Sequence, residues 1–151
     1  MKKILLLSTA VCLIFMACSK DGGSGTKPTI SFKSYSIPFI VDSLVDQFDA
    51  TFQVTDGDGD IQNKFNFRII LDSDPSTLED SVFEPRQMPA IGAHKGSKVD
   101  AEVIYTLLAS DFKFYDPNTK PDSLRMQVFI VDDEGHSSDT ITTPKLAILK
   151  N

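Results

Sequence analysis

Gln47-Phe48-Asp49-Ala50-Thr51-Phe52-Gln53-Val54 alternates apolar and polar residues. Phe48, Ala50, Phe52 and Val54 share one face, and the other face is polar. That period of two is the geometry of an extended strand with one face in a core. The same row recurs downstream. Phe65, Phe67, Ile69 and Leu71 alternate with polar Asn66 and Arg68. Val99, Ala101, Val103, Tyr105 and Leu107 form a third row, and Leu124, Met126, Val128 and Ile130 a fourth. Thr29–Ser36 and Thr140–Leu149 read as the first and last strands. A weaker strand fits Ser81–Met88, where Pro85 and Pro89 require an edge position because proline donates no hydrogen bond. The reading is therefore seven strands, at 29–36, 47–55, 65–72, 81–88, 98–108, 123–131 and 139–149, with a single helical turn within 107–116. Short strands separated by turn residues predict an all-β fold, one sandwich of about seven strands.

The chain begins differently. Met1-Lys2-Lys3 precedes an apolar run from Ile4 to Ala17. A charged start followed by a short apolar stretch is the layout of a secretory signal. The run is shorter than the roughly 20 residues a spanning helix needs. Phe15-Met16-Ala17-Cys18 resembles a lipobox, although Phe15 and Met16 depart from its usual Leu and small residue. The resemblance implies cleavage after Ala17 and a covalent lipid on Cys18. Cys12 leaves with the signal, so Cys18 has no disulfide partner within the mature chain, and lipidation removes a lone thiol. Ser19-Lys20-Asp21 resembles the short charged sequence after the lipid cysteine in surface lipoproteins of Bacteroidetes. Asp21-Gly22-Gly23-Ser24-Gly25-Thr26-Lys27-Pro28 is a flexible tether by composition. The organisation expected is a signal peptide over 1–17, a lipidated cysteine and tether over 18–28, and the sandwich domain over 29–151. The implied location is the cell envelope, at the outer membrane, with either face open. Two or more acyl chains make such an anchor stable.

Removing residues 1–17 takes away Lys2 and Lys3, so the formal charge moves from −6 to −8 over the remaining 134 residues. An acidic surface gains nothing from counterion release, so nucleic acid is not an expected partner. The membrane contact expected is through the lipid anchor.

Two stretches carry a family resemblance. Phe52-Gln53-Val54-Thr55-Asp56-Gly57-Asp58-Gly59-Asp60-Ile61 runs a strand into an Asp-Gly-Asp loop. Val128-Phe129-Ile130-Val131-Asp132-Asp133-Glu134-Gly135-His136-Ser137-Ser138-Asp139-Thr140 looks like a final hairpin. Both resemble the immunoglobulin-like and PKD-like domains of bacterial surface lipoproteins. The resemblance is architectural, since an inter-sheet disulfide, a core Trp and a tyrosine corner are all missing from the sequence.

The acidic loop is the most suggestive chemistry. Alternate carboxylates with intervening glycines suit Ca²⁺, a hard cation that takes six to eight oxygens. An EF-hand does not fit. With Asp56 as its first position, Ile61 stands where Gly is required and Phe67 where Glu is required. A site must be completed from elsewhere. In an immunoglobulin-like sandwich, the loop after the second strand shares a pole with the loop after the sixth. That brings Asp56, Asp58 and Asp60 towards Asp132, Asp133 and Glu134, beside the start of the first strand and the tether. Asp-Gly pairs are also ordinary turn chemistry, so a solvated loop is the competing reading.

Other groups point less sharply. Asp72, Asp74, Glu79 and Asp80 form a second acidic stretch at the other pole. His94 and His136 are too few and too separated for zinc. The sequence holds no Gly-x-Ser-x-Gly elbow and no local triad spacing. The primary expectation is a non-enzymatic structural or protein-interaction domain, steadied by Ca²⁺, whose partner is an envelope protein. The alternative is a glycan- or ligand-binding module that uses an aromatic patch of Phe112, Phe114 and Tyr115. Burial of those rings would remove the platform.

Overall fold

The computed structural model describes residues 27–41, 44–72, 82–89, 95–112 and 122–149. The expected signal peptide, Cys18, residues 19–26 of the tether, Asp74, Glu79, Asp80, His94, Phe114 and Tyr115 lie outside them. The elements are β1 (Thr29–Tyr35), β2 (Ile40–Val41), β3 (Gln47–Asp56), β4 (Lys64–Leu71), β5 (Glu84–Gln87), β6 (Val99–Leu108), the one-turn α1 (Ala109–Phe112), β7 (Asp122–Val131), β8 (Ile141–Thr142) and β9 (Leu146–Leu149). They build an all-β sandwich of two sheets. The smaller sheet has the order β1-β3-β6, and the larger β2-β9-β7-β4-β5, with β8 also paired to β7.

The four alternating rows become the core because the register sets them opposite one another. In the small sheet Phe52 faces Val103 and Phe48 faces Leu107. In the large sheet Phe65 faces Ile130, Phe67 faces Val128 and Leu71 faces Leu124. The two inner faces meet through aromatic rings, which bury the most area per side chain. Phe52 lies edge-on to Phe65 at 5.4 Å, and Tyr105 stacks on Phe65 at 5.2 Å. The tip of the sandwich is closed by Phe112 from α1, 5.3 Å from Phe48, and Ile61 closes the core from the β3–β4 loop.

Four details depart from the pattern in the sequence. First, the opening strand is divided. After β1 the chain crosses to the large sheet, where β2 adds in parallel to β9. Two residues are too short to show a period, which is why β2 has no sequence signature. Second, β1 carries a register shift between Phe32 and Ser34. One extra residue flips the alternation, so Phe32 and Tyr35, three apart, both pack against the core.

Third, the last strand is broken. Thr142 pairs with Gln127 and Leu146 with Leu124, so three residues span the space opposite two. Pro144 lies inside this bulge, where it has no ladder bond to make. Thr143 supplies a side chain in compensation. Its buried hydroxyl accepts from the Met126 N–H at 2.8 Å and from the Tyr35 hydroxyl at 2.6 Å. Fourth, the outer face of β4 is partly covered. Ile70 and Asn66 are buried, and beside them the Arg68 guanidinium sits 4.8 Å above Phe83, which packs on Phe129. β5 is an edge strand paired only to β4, as Pro85 requires.

With each divided strand counted once, the sheets hold strands 1-2-5 and 1-7-6-3-4. This is an immunoglobulin-like order, with the fourth strand carried on the edge of the third. Among the described residues, no helix is long and apolar enough to cross a membrane.

The Thr143 hydroxyl substitutes for a ladder bond, so Thr143→Val should cost about 1–3 kcal/mol in urea unfolding. Thr143→Ser should retain most of that. A larger loss in Thr143→Ser than in Thr143→Val would show that the methyl group, and not the hydroxyl, holds the bulge.

Candidate metal centre

The site grows out of the strand alternation itself. Phe48, Ala50, Phe52 and Val54 face inward along β3, and the next position of that parity is Asp56. Leu124, Met126, Val128 and Ile130 face inward along β7, and the next position is Asp132. The period of two therefore places one carboxylate at the end of an inward row in each sheet. Asp56 is 2% exposed and Asp132 is fully buried.

Each of these carboxylates then shapes the loop that follows it. Asp56 Oδ2 accepts the backbone N–H of Gly59 at 2.7 Å and of Asp60 at 3.0 Å. The curl needs a left-handed backbone at Gly59, whose φ is 76°. Asp132 Oδ1 accepts the His136 N–H at 2.7 Å, and its Oδ2 lies 3.0 Å from His136 Nδ1. The turn between them passes through Gly135, with φ at 92°. The two loops are joined to each other. The Asp133 N–H donates to the Asp60 carbonyl at 2.8 Å, and Asn63 Nδ2 donates to the Asp132 carbonyl at 2.9 Å. A third loop touches them where the Gly96 N–H donates to the Asp58 carbonyl at 2.5 Å.

Carboxylates converge at this pole. Asp56, Asp60 and Asp132 each offer an oxygen within 4.8 Å of the others, as do Asp58, Asp60 and Glu134. Asp60 is 3% exposed, and neither of its oxygens has a hydrogen-bond partner. Asp56 Oδ1 and Asp58 Oδ1 are also without one. Among the described residues, none of the Lys and Arg ion pairs reaches Asp56, Asp58 or Asp60.

Burying a charge without a partner is costly, and a carboxyl responds by holding its proton. Burial pushes Asp60 up to about 6, helped by the negative charges of Asp132, Asp58 and Asp56. Burial also raises Asp56, although the Asp60 and Gly59 N–H groups oppose the rise. The other pole makes the contrast. There Asp72 contacts Lys145, Arg125 and Ser123, and its carboxyl is held below the usual range, first by the Lys145 hydrogen bond. Among the described residues, Lys and Arg reach that acid, and none of their ion pairs reaches Asp56, Asp58 or Asp60. An all-oxygen donor set of this kind suits a hard divalent cation.

Of the sequence candidates, Asp56, Asp58, Asp60 and Asp132 are brought together, as the shared-pole reading required. Asp133 is not. It is exposed, belongs to neither carboxylate group, and contributes its backbone N–H. Glu134 faces the cluster in its place. His136, which the sequence did not assign to the site, is exposed, and its ring contacts Asp132. The inward parity of Asp56 and Asp132 was the available signal for their burial. The aromatic patch loses Phe112, which is 1% exposed and packed into the core, so that ring offers no platform to a sugar. Phe114, Tyr115 and Cys18 lie outside the described residues.

Lys27 pairs with Asp139 at 2.7 Å, and Thr29 is in register with Thr55, one residue before Asp56. Lys27 and Pro28, the residues that lead into β1, therefore lie at the acidic pole. Comparison with protein families, with curated proteins and with solved structures finds no match to this chain.

In chelator, the folded state holds a proton on Asp60 up to about pH 6, whereas the unfolded chain releases it near pH 3.9. Stability from that proton is complete below the unfolded value and is lost as pH rises through 6. In EDTA the fold should therefore be more stable at pH 5 than at pH 7.5, by on the order of 1–3 kcal/mol, and thermal melts should show a higher Tm at pH 5. Asp72 has the opposite sign but acts only at lower pH. A Tm that falls between pH 7.5 and pH 5 would mean that the cluster is not a buried repulsion.

Proposed function

We propose that this chain is a lipid-anchored, non-enzymatic module of the cell envelope whose sandwich is locked at its tether-side pole by Ca²⁺. The observation that carries the reading is Asp60, 3% exposed with both oxygens unpartnered, between Asp56 and Asp132. A cation there would satisfy oxygens that nothing else in the described residues satisfies. It would also act between the sheets. Asp56 ends β3 of the small sheet, and Asp132 follows β7 of the large one. Sandwiches of this type often hold their sheets together with a disulfide. The mature chain expected here has a single cysteine, so a shared cation takes that role. The lock lies next to Thr29, where the tether begins, and stiffens the end of the domain nearest the membrane. The anchor rests on the signal-like segment and Cys18, and the partner that fits such a module is another envelope protein.

Two measurements test this. A ligand that binds only the folded state raises stability by RT ln(1 + [L]/Kd), about 2.7 kcal/mol at one hundred times Kd. Millimolar Ca²⁺ should raise the Tm at pH 7.5 over that in EDTA, and Asp60→Asn should abolish the rise while itself melting higher than wild type in EDTA. No Ca²⁺ effect up to millimolar concentration would end the reading. In cells, Cys18→Ala should block lipid labelling and move the protein out of the membrane fraction. Unchanged membrane association in that variant would remove the lipid anchor.

A further inference from the structure

Resting on that reading, we infer that the pole holds two divalent cations rather than one, an inner and an outer ion bridged by the Asp60 carboxylate. The five carboxylates of the cluster fall into two triples, Asp56-Asp60-Asp132 and Asp58-Asp60-Glu134, joined only at Asp60. Two oxygens bound to one Ca²⁺ at 2.3–2.6 Å are separated by at most about 5 Å. Each triple meets that limit, with its three oxygens within 4.8 Å of one another.

Asp60 is built for a bridge. It is nine-tenths buried and more, and neither oxygen accepts a hydrogen bond, so one is free for each ion. The remaining unpartnered oxygens divide the same way, with Asp56 Oδ1 on the inner side and Asp58 Oδ1 on the outer. Charge favours two ions as well. Five carboxylates with one divalent cation leave three negative charges, which no Lys or Arg ion pair among the described residues reaches, and a second ion leaves one.

The inner ion has wholly buried protein ligands and joins the two sheets. The outer ion has an exposed ligand in Glu134 and a half-buried one in Asp58, so it exchanges with solvent and binds more weakly. The inner ion therefore steadies the fold, and the outer one follows the calcium concentration around the cell. Mg²⁺ competes poorly at both, because it holds its water and demands octahedral geometry.

The test is equilibrium dialysis of the full-length protein, purified in detergent, against radioactive Ca²⁺, with Tm measured on the same samples. Wild type should bind two Ca²⁺ per chain, with affinities at least tenfold apart. Glu134→Gln, an exposed and fold-neutral change, should bind one and keep most of the Ca²⁺-dependent rise in Tm. Asp60→Asn should weaken both sites by tenfold or more. One Ca²⁺ per chain in both wild type and Glu134→Gln would overturn the pair and leave the single lock standing. Two Ca²⁺ in both proteins would also overturn it, because the second ion would lie elsewhere. No binding to wild type would overturn the pair together with the function it rests on.

Discussion

The structure turns on an electrostatic constraint. Two strands that face each other across the core both end their inward rows in aspartate. Asp56 follows Val54 in β3, and Asp132 follows Ile130 in β7. Alternation sends both carboxylates to the inside of the sandwich, and Asp60 joins them there from the connecting loop. A core of this kind tolerates apolar groups and satisfied polar ones, while an isolated charge in it is strongly disfavoured. Protonation relieves the repulsion at Asp60 below about pH 6, and at neutral pH a cation would do so.

The surrounding backbone holds the arrangement rigid. Asp56 spends one oxygen on the N–H groups of its own loop, and Asp132 spends both on His136. Three backbone or amide contacts then tie the β3–β4 loop to its neighbours. The loops therefore cannot swing apart to hydrate the acids without breaking several hydrogen bonds. Pre-ordered ligands cost less entropy to bind, so a cation held here would meet carboxylates already fixed by these hydrogen bonds.

The remainder of the domain is ordinary sandwich packing, with irregularities where the sheets exchange strands. The bulge in β1 brings both Phe32 and Tyr35 onto the core, and the Tyr35 hydroxyl then reaches Thr143 in the break between β8 and β9. The first and last strands are thus divided at neighbouring places and share one hydrogen-bond network. Phe112 belongs to this packing, which is why the aromatic run beginning at residue 112 is not, at that ring, a binding surface.

A strand's period is local, so the four apolar rows, the edge position implied by Pro85 and the all-β class could be read directly from the chain. Carried one step past Val54 and Ile130, the same local rule puts Asp56 and Asp132 on inward rows, although the sequence alone marked both only as loop acids. Which carboxylates meet is a different matter. Convergence depends on register, on which sheet each strand joins and on the curl of two loops, and these follow from contacts between residues far apart in sequence. That is why Glu134 and not Asp133 faces the cluster, why β2 leaves the first strand for the other sheet, and why Asp60 is sealed away from solvent. The alternation of side chains determined the sandwich and its core. Only the docking of one sheet on the other decided that its acids lie together, beyond the Lys and Arg ion pairs of the described residues.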